Sequence, residues 1–148
     1  MAVNVPGSAK TNVPGVFAAG DVRERFLRQV ATCVGDAATA GVMAEKYIAE
    51  SEIFDHQIMM GDGIAYVYDA VDNTQREFLS VIEEIEEMYD NHCCHKVDTY
   101  KSKGLADRLG CEEFPAVVII KDGKIYKTLS DIELSKADII DAINASEE

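Results

Sequence analysis

GCEEFPAVVIIKDGKIYKTL, residues 110–129, carries the reading of the fold. Pro115 opens an apolar, β-branched run through Ile120 that reads as a strand. Lys121-Asp122-Gly123-Lys124 has the Asp-Gly chemistry of a tight hairpin turn, and Ile125–Leu129 is the returning strand. Gly110 is a helix stop, placing a short helix over Lys103–Leu109.

Working outward, Cys93–Val97 reads as a strand before that helix. Phe78, Leu79, Ile82, Ile85 and Met88-Tyr89 recur at helical spacing, with Glu83, Glu84, Glu86 and Glu87 on the opposite face. Asp72-Asn73-Thr74 supplies turn and cap chemistry for that helix, expected over Thr74–Tyr89. Ile64-Ala65-Tyr66-Val67-Tyr68 is a continuous apolar run of strong strand formers, as in a strand buried on both faces. Ser135 caps a last helix with Ile139, Ile140, Ala142 and Ile143 inward. The order is strand, helix, strand, helix, strand, strand, helix. It predicts an α/β fold with a mixed central sheet, parallel at first and closed by an antiparallel hairpin.

Upstream the composition changes. Residues 1–50 hold five cations and five anions, so the whole formal charge of −13 lies after position 50. Asn-Val-Pro-Gly occurs at 4–7 and at 12–15, a turn signal each time. Val16–Ala19 reads as a brief buried strand stopped by Gly20-Asp21. Asp36 caps an Ala-rich helix to about Glu50, and Cys33 is a packing residue just before it. Residues 51–63 are a linker or an extra helix.

The second unit, 64–148, resembles a thioredoxin fold. The matching residues are the strand Ile64–Tyr68, Lys96-Val97-Asp98, Gly110–Pro115 and the hairpin Lys121–Lys124. The resemblance implies a cis bond at Phe114–Pro115 facing the site, and a partner groove at Phe114, Pro115 and Cys111. It departs from the family at the catalytic motif. The Trp-Cys-Gly-Pro-Cys of thioredoxins is replaced by Asp72–Arg76, placing Asn73 and Arg76 where the thiols belong. Disulfide exchange needs an attacking thiolate and a resolving thiol. No catalytic residue is therefore expected there.

Residues 11–49 resemble the C-terminal tail of bacterial-type thioredoxin reductases. The match runs through Thr11–Gly15, Phe17–Val22, Arg28-Gln29-Val30, Gly35 and Ala44–Tyr47. It implies a flavin-binding role for Gly20, Asp21, Arg28, Gln29 and Val30, with FAD as cofactor of the complete parent. No Gly-x-Gly-x-x-Gly turn and no Cys-x-x-Cys occur in this chain. Residues 1–50 are thus expected to be an incomplete, partly disordered flavin-binding tail without its own cofactor.

Composition narrows the partners. The acidic surface repels phosphate backbones, so neither nucleic acid nor an anionic membrane is an expected partner. No apolar run is long enough for a membrane span and no secretory leader is seen, which makes cytoplasm the expected compartment. His92-Cys93-Cys94-His95 lies on a strand, where successive side chains point to opposite faces, and is not expected to bind metal. Cys93 and Cys94 read as buried packing residues of a central strand. Glu112 and Glu113 are expected to raise the Cys111 pKa. The expectation is a non-catalytic thioredoxin-fold docking module for a redox protein or the rest of a reductase. The alternative is the C-terminal part of a flavin-dependent thioredoxin-disulfide reductase, active when its missing domains are supplied. The acidic helix could also serve an oligomer contact.

Overall fold

A computed structural model describes residues 8–24, 26, 28–89, 92–130 and 134–147. The chain divides into two compact units, Met1–Ala49 and Glu50–Glu148. The Asn-Val-Pro-Gly at 4–7 lies outside the described residues.

In the second unit four strands form one sheet in the order β2-β1-β3-β4: β1 (Gly63–Tyr68), β2 (Cys93–Asp98), β3 (Ala116–Lys121) and β4 (Lys124–Ser130). β1 runs parallel to β2, while β1–β3 and β3–β4 are antiparallel. The β3–β4 hairpin turns through Asp122 (φ 50°) and Gly123 (φ 69°), both left-handed, as two-residue hairpin loops favour. At Gly123 a Cβ would also stand 2.6 Å from the Met59 carbonyl oxygen, so only glycine fits.

Alternation along β1 and β3 feeds two cores. Ala65, Val67, Val118 and Ile120 face α4 (Lys103–Arg108), burying Leu105, Ala106 and Leu109, with Ile58 and Cys111 closing that layer. Ile64, Tyr66, Val117 and Ile119 face α3 (Leu79–Met88) and α5 (Lys136–Glu147) through Ile82, Ile85, Ile139, Ala142 and Ile143. The sheet is thus covered on both sides, which explains why β1 and β3 lack polar alternation. The Phe114–Pro115 bond is cis, as the thioredoxin resemblance implied. Ser135 and Asp138 cap α5 reciprocally, each accepting the other's amide.

Two expectations for this unit change. The helix read over Thr74–Tyr89 is interrupted at Phe78, giving a short α2 (Asn73–Glu77) before α3. β2 is an edge strand rather than a central one, so Cys93 is exposed and Cys94 half-buried. His95, on the same strand, is half-buried with its Nε2 unpartnered. Burial holds the His95 pKa below its ordinary 6.5, against opposing effects of the Gln57 backbone and Glu86. A histidine depressed in the fold contributes stability that is present above pH 6.5 and lost as pH falls through its folded pKa. His95→Gln should therefore flatten the decline of Tm between pH 7 and 5, measured by circular dichroism.

α1 starts at Val30, in the first unit, and runs past the unit boundary to Ile53, followed by a π-helical turn over Phe54–Ile58. The helix thus begins six residues before Asp36, and both Cys33 and Asp36 lie inside it. Asp36 is no cap. Val16–Ala19 makes only an isolated antiparallel bridge, Lys10 with Phe17, and Val16 is exposed rather than buried. Pro14-Gly15 forms the expected turn: the Val16 amide donates to the Val13 carbonyl at 3.1 Å and Gly15 has φ 77°.

Candidate functional site

The end of β1, the start of α2 and the cis-proline loop meet at one side chain, Gln75. Its Oε1 accepts from the Asp69 amide at 2.8 Å. Its Nε2 donates to Asp72 Oδ2 at 3.3 Å and to the Phe114 carbonyl at 3.4 Å. Below it the Tyr66 hydroxyl donates to the Gln75 carbonyl at 2.9 Å. Tyr66 is fully buried, stacked on Tyr68 at 5.3 Å, and burial raises its pKa.

Asp72 is the helix cap. Its Oδ1 accepts from the Thr74 hydroxyl at 2.8 Å and from the Thr74 and Gln75 amides at 2.9 and 3.4 Å. The Thr74 hydroxyl first, then these amides, hold its pKa below the ordinary carboxylate value. The junction therefore gathers an amide, a carboxylate and a peptide carbonyl, hydrogen-bonded to one another.

Asn73 and Arg76 are both exposed, one position beyond Asp72 and Gln75. The side chain that meets the cis-proline loop is Gln75, with Asp72 hydrogen-bonded to it. Sequence reading missed them because the register of the motif within α2 was taken from spacing alone. The usable signal was Asp72 as a cap, since the cap residue fixes the side chain three positions on.

Phe114 and Pro115 are half-buried at the loop. Cys111 is 5% exposed, packed in the α4-side core, with its thiol 3.9 Å from the Leu109 carbonyl. Its pKa is raised by burial, not by Glu112 and Glu113. Cys94 is pushed up to about 11, chiefly by burial. Among the described residues no group of three His, Cys, Asp or Glu side chains could hold a metal ion.

The first unit contains a second constellation. Arg23 and Asp36, 6% and 4% exposed, pair at 2.9 Å between Nη1 and Oδ1. Asp36 Oδ2 accepts from the Gly20 amide at 3.3 Å, and Arg23 Nη2 donates to the Ser8 carbonyl at 2.9 Å. Arg23 Nε is buried without a partner. This pair fixes the short 3₁₀ turn Gly20–Val22 against α1, with Gly20 at φ 73°.

Of the residues assigned to flavin, Asp21 is exposed and takes the Cys33 thiol at 3.5 Å. The Gly20 amide is occupied by Asp36, and the Gln29 amide donates to Thr32 Oγ1 at 3.2 Å. Arg28, Gln29 and Val30 lie exposed at the start of α1. The Gly20 and Gln29 amides are thus both hydrogen-bonded within the chain. These residues alone do not fit a flavin.

The second unit's fold is thioredoxin-like. It matches a mutant thioredoxin from Halobacterium salinarum with a TM-score of 0.57 at 20% identity, covering 66% of this chain and 85% of that one. A chain from a structure on thiol resolution in yeast mitochondrial 1-Cys peroxiredoxin matches with a TM-score of 0.56 at 12% identity, covering 66% and 88%. A different part of the comparison points to reductases. The chain is 58% identical over 48 residues to the mitochondrial thioredoxin reductase of Kluyveromyces lactis, covering 32% of this chain and 14% of that protein. It is 66% identical over 41 residues to a thioredoxin reductase of Peptoclostridium litorale, covering 28% and 13%. The chain thus spans about a seventh of the length of these relatives. No protein-family model matches it. No helix among the described residues is long and apolar enough to cross a membrane.

Proposed function

We propose that the chain is a non-catalytic docking module of a thioredoxin-reductase-like redox system, holding a protein partner at the Phe114–Pro115 loop. Its domains would be a reductase-type tail over 1–50, a helical connection over 51–63 and a binding domain over 64–148. The observation that carries this is Gln75, whose amide links the Asp69 amide, the Asp72 carboxylate and the Phe114 carbonyl. The amide has no electrons to exchange, yet it stiffens the loop a partner backbone would pair with. A stiff, preorganised surface favours binding because less order is lost on association. The chain as it stands should not accelerate insulin reduction by dithiothreitol. Turnover abolished by Cys111→Ser would refute the reading.

A second reading has one observation in its favour, the 58% identity to a reductase over 48 residues. Residues 1–50 would then complete a flavoprotein whose other parts lie on a separate polypeptide, with Gly20, Asp21 and Arg28–Val30 meeting FAD there. Co-expression with such a partner would give a yellow complex absorbing at about 450 nm, and a colourless complex would refute it.

A further inference from the structure

We propose that the outer edge of β2 is a strand-addition site for an extended, lysine- or arginine-bearing segment of a partner protein. This surface is separate from the Pro115 loop, and the inference does not depend on what sits there. The Cys93 amide donates to the Asp62 carbonyl at 3.2 Å and the Thr99 amide to the Tyr68 carbonyl at 2.9 Å. In a parallel pair every second residue bonds to the neighbour, so residues 93, 95, 97 and 99 face β1. The amides and carbonyls of Cys94 and Lys96 consequently point away from the sheet. Among the described residues β2 forms a ladder with β1 alone.

Sheet edges are normally blunted by lysines, bulges or covering elements. The opposite edge, β4, has Lys124 and Lys127 and a register shift between Ile119 and Ile120. β2 has a single lysine, and it is tied down. Lys96 Nζ lies 2.9 Å from Glu83 and 3.7 Å from Glu86, both on α3. Its charge is thus matched by two carboxylates, and the strip beside the edge is left acidic, in a unit of formal charge −14. Tyr100 stands just past the strand, 81% exposed, where its ring can cover a basic side chain. A basic strand gains backbone bonds from the edge and charge complementarity from its flank. A second copy of this acidic chain would gain the first and oppose the second.

The test uses the full chain and a fluorescein-labelled Lys-Val-Lys-Val-Lys-Val-Lys peptide, read by fluorescence anisotropy. Saturable binding is expected, with slowed exchange of the Cys94 and Lys96 amides by NMR. Proline is tolerated in an edge strand where the lost amide faces outward. Cys94→Pro and Lys96→Pro should thus keep the circular dichroism spectrum and weaken binding more than tenfold. Lys96→Ala, which keeps the amide, should not weaken it. Glu83→Gln with Glu86→Gln should weaken it several-fold. A peptide N-methylated at alternate residues should fail on the unaltered chain, a control that does not rely on any variant folding. No saturable binding, or equal binding of the N-methylated peptide, would overturn the proposal. So would a dimer, seen by light scattering, that Lys96→Pro dissolves, because the edge would then belong to a second copy.

Discussion

A chain carrying Asp72→Cys together with Gln75→Cys should reduce insulin disulfides with dithiothreitol as electron source, starting from a background rate. Asp72 already receives the Thr74 and Gln75 amides. A thiolate at 72 would inherit those donors and the start of the helix, the setting that lowers cysteine pKa values. A fall of about 1.5 units from 8.5 means roughly a sixteenfold larger thiolate fraction at neutral pH. A thiol at 75 would replace the amide that reaches the Phe114 carbonyl. The first sulfur attacks the insulin disulfide and expels one insulin thiol; the second then attacks the mixed disulfide and expels the other. Dithiothreitol restores the pair. The substitution has a cost, since the Asp69 amide loses its acceptor, about 1–3 kcal/mol. The matched control is Asn73→Cys with Arg76→Cys. Those positions are exposed on the first turn and should run at least about tenfold slower. Faster turnover by the control pair would return the site to Asn73 and Arg76. Background rates for both pairs would remove the Pro115 junction as the place where this fold exchanged disulfides.

The fold was legible where one physical signal dominated. β1 and β3 are apolar without alternation because both faces of the sheet are covered, and an Asp-Gly turn at 122–123 leaves little choice of hairpin. Legibility failed where tertiary context outweighs local chemistry. Aspartate before an Ala-rich run reads as a cap, yet Asp36 meets Arg23 thirteen positions away in sequence, and no local pattern announces such a pair. Burial of Cys93 could not be read either, because β2 resembles an inner strand until the strand order places it at the edge. The same applies to Cys111. Neighbouring glutamates are visible in sequence, whereas the α4-side core that sets its pKa is assembled from Ile58, Leu105, Leu109 and both central strands. The junction itself was half legible. Pro115 announced its loop, but the residue facing it depends on the helix starting at Asn73 behind its Asp72 cap.

Arg23→Met should dissolve the order of the first unit while leaving the second unit's melting unchanged. Removing the guanidinium takes its ion-pair partner from the buried Asp36 carboxylate, which still accepts from the Gly20 amide. Breaking a buried pair at one partner costs about 3–5 kcal/mol, whereas an exposed pair is worth about 0–1 kcal/mol. The Ser8 carbonyl also loses its donor. A unit whose described residues bury little apolar surface of its own beyond Ala9 has nothing of that size in reserve. The expected readout is a gain of about a hundredfold or more in thermolysin cleavage before Ala49, with near-native circular dichroism from the sheet. Replacing both partners, Arg23→Met with Asp36→Leu, tests the cause. It removes the buried carboxylate together with the guanidinium and should restore part of the protection. Recovery cannot be complete, because the Gly20 amide and the Ser8 carbonyl then both lack partners. If the double variant is as labile as Arg23→Met, the loss comes from those two backbone groups rather than from breaking the ion pair at one partner. If neither variant alters cleavage, the Gly20–Val22 turn is held by something other than the ion pair.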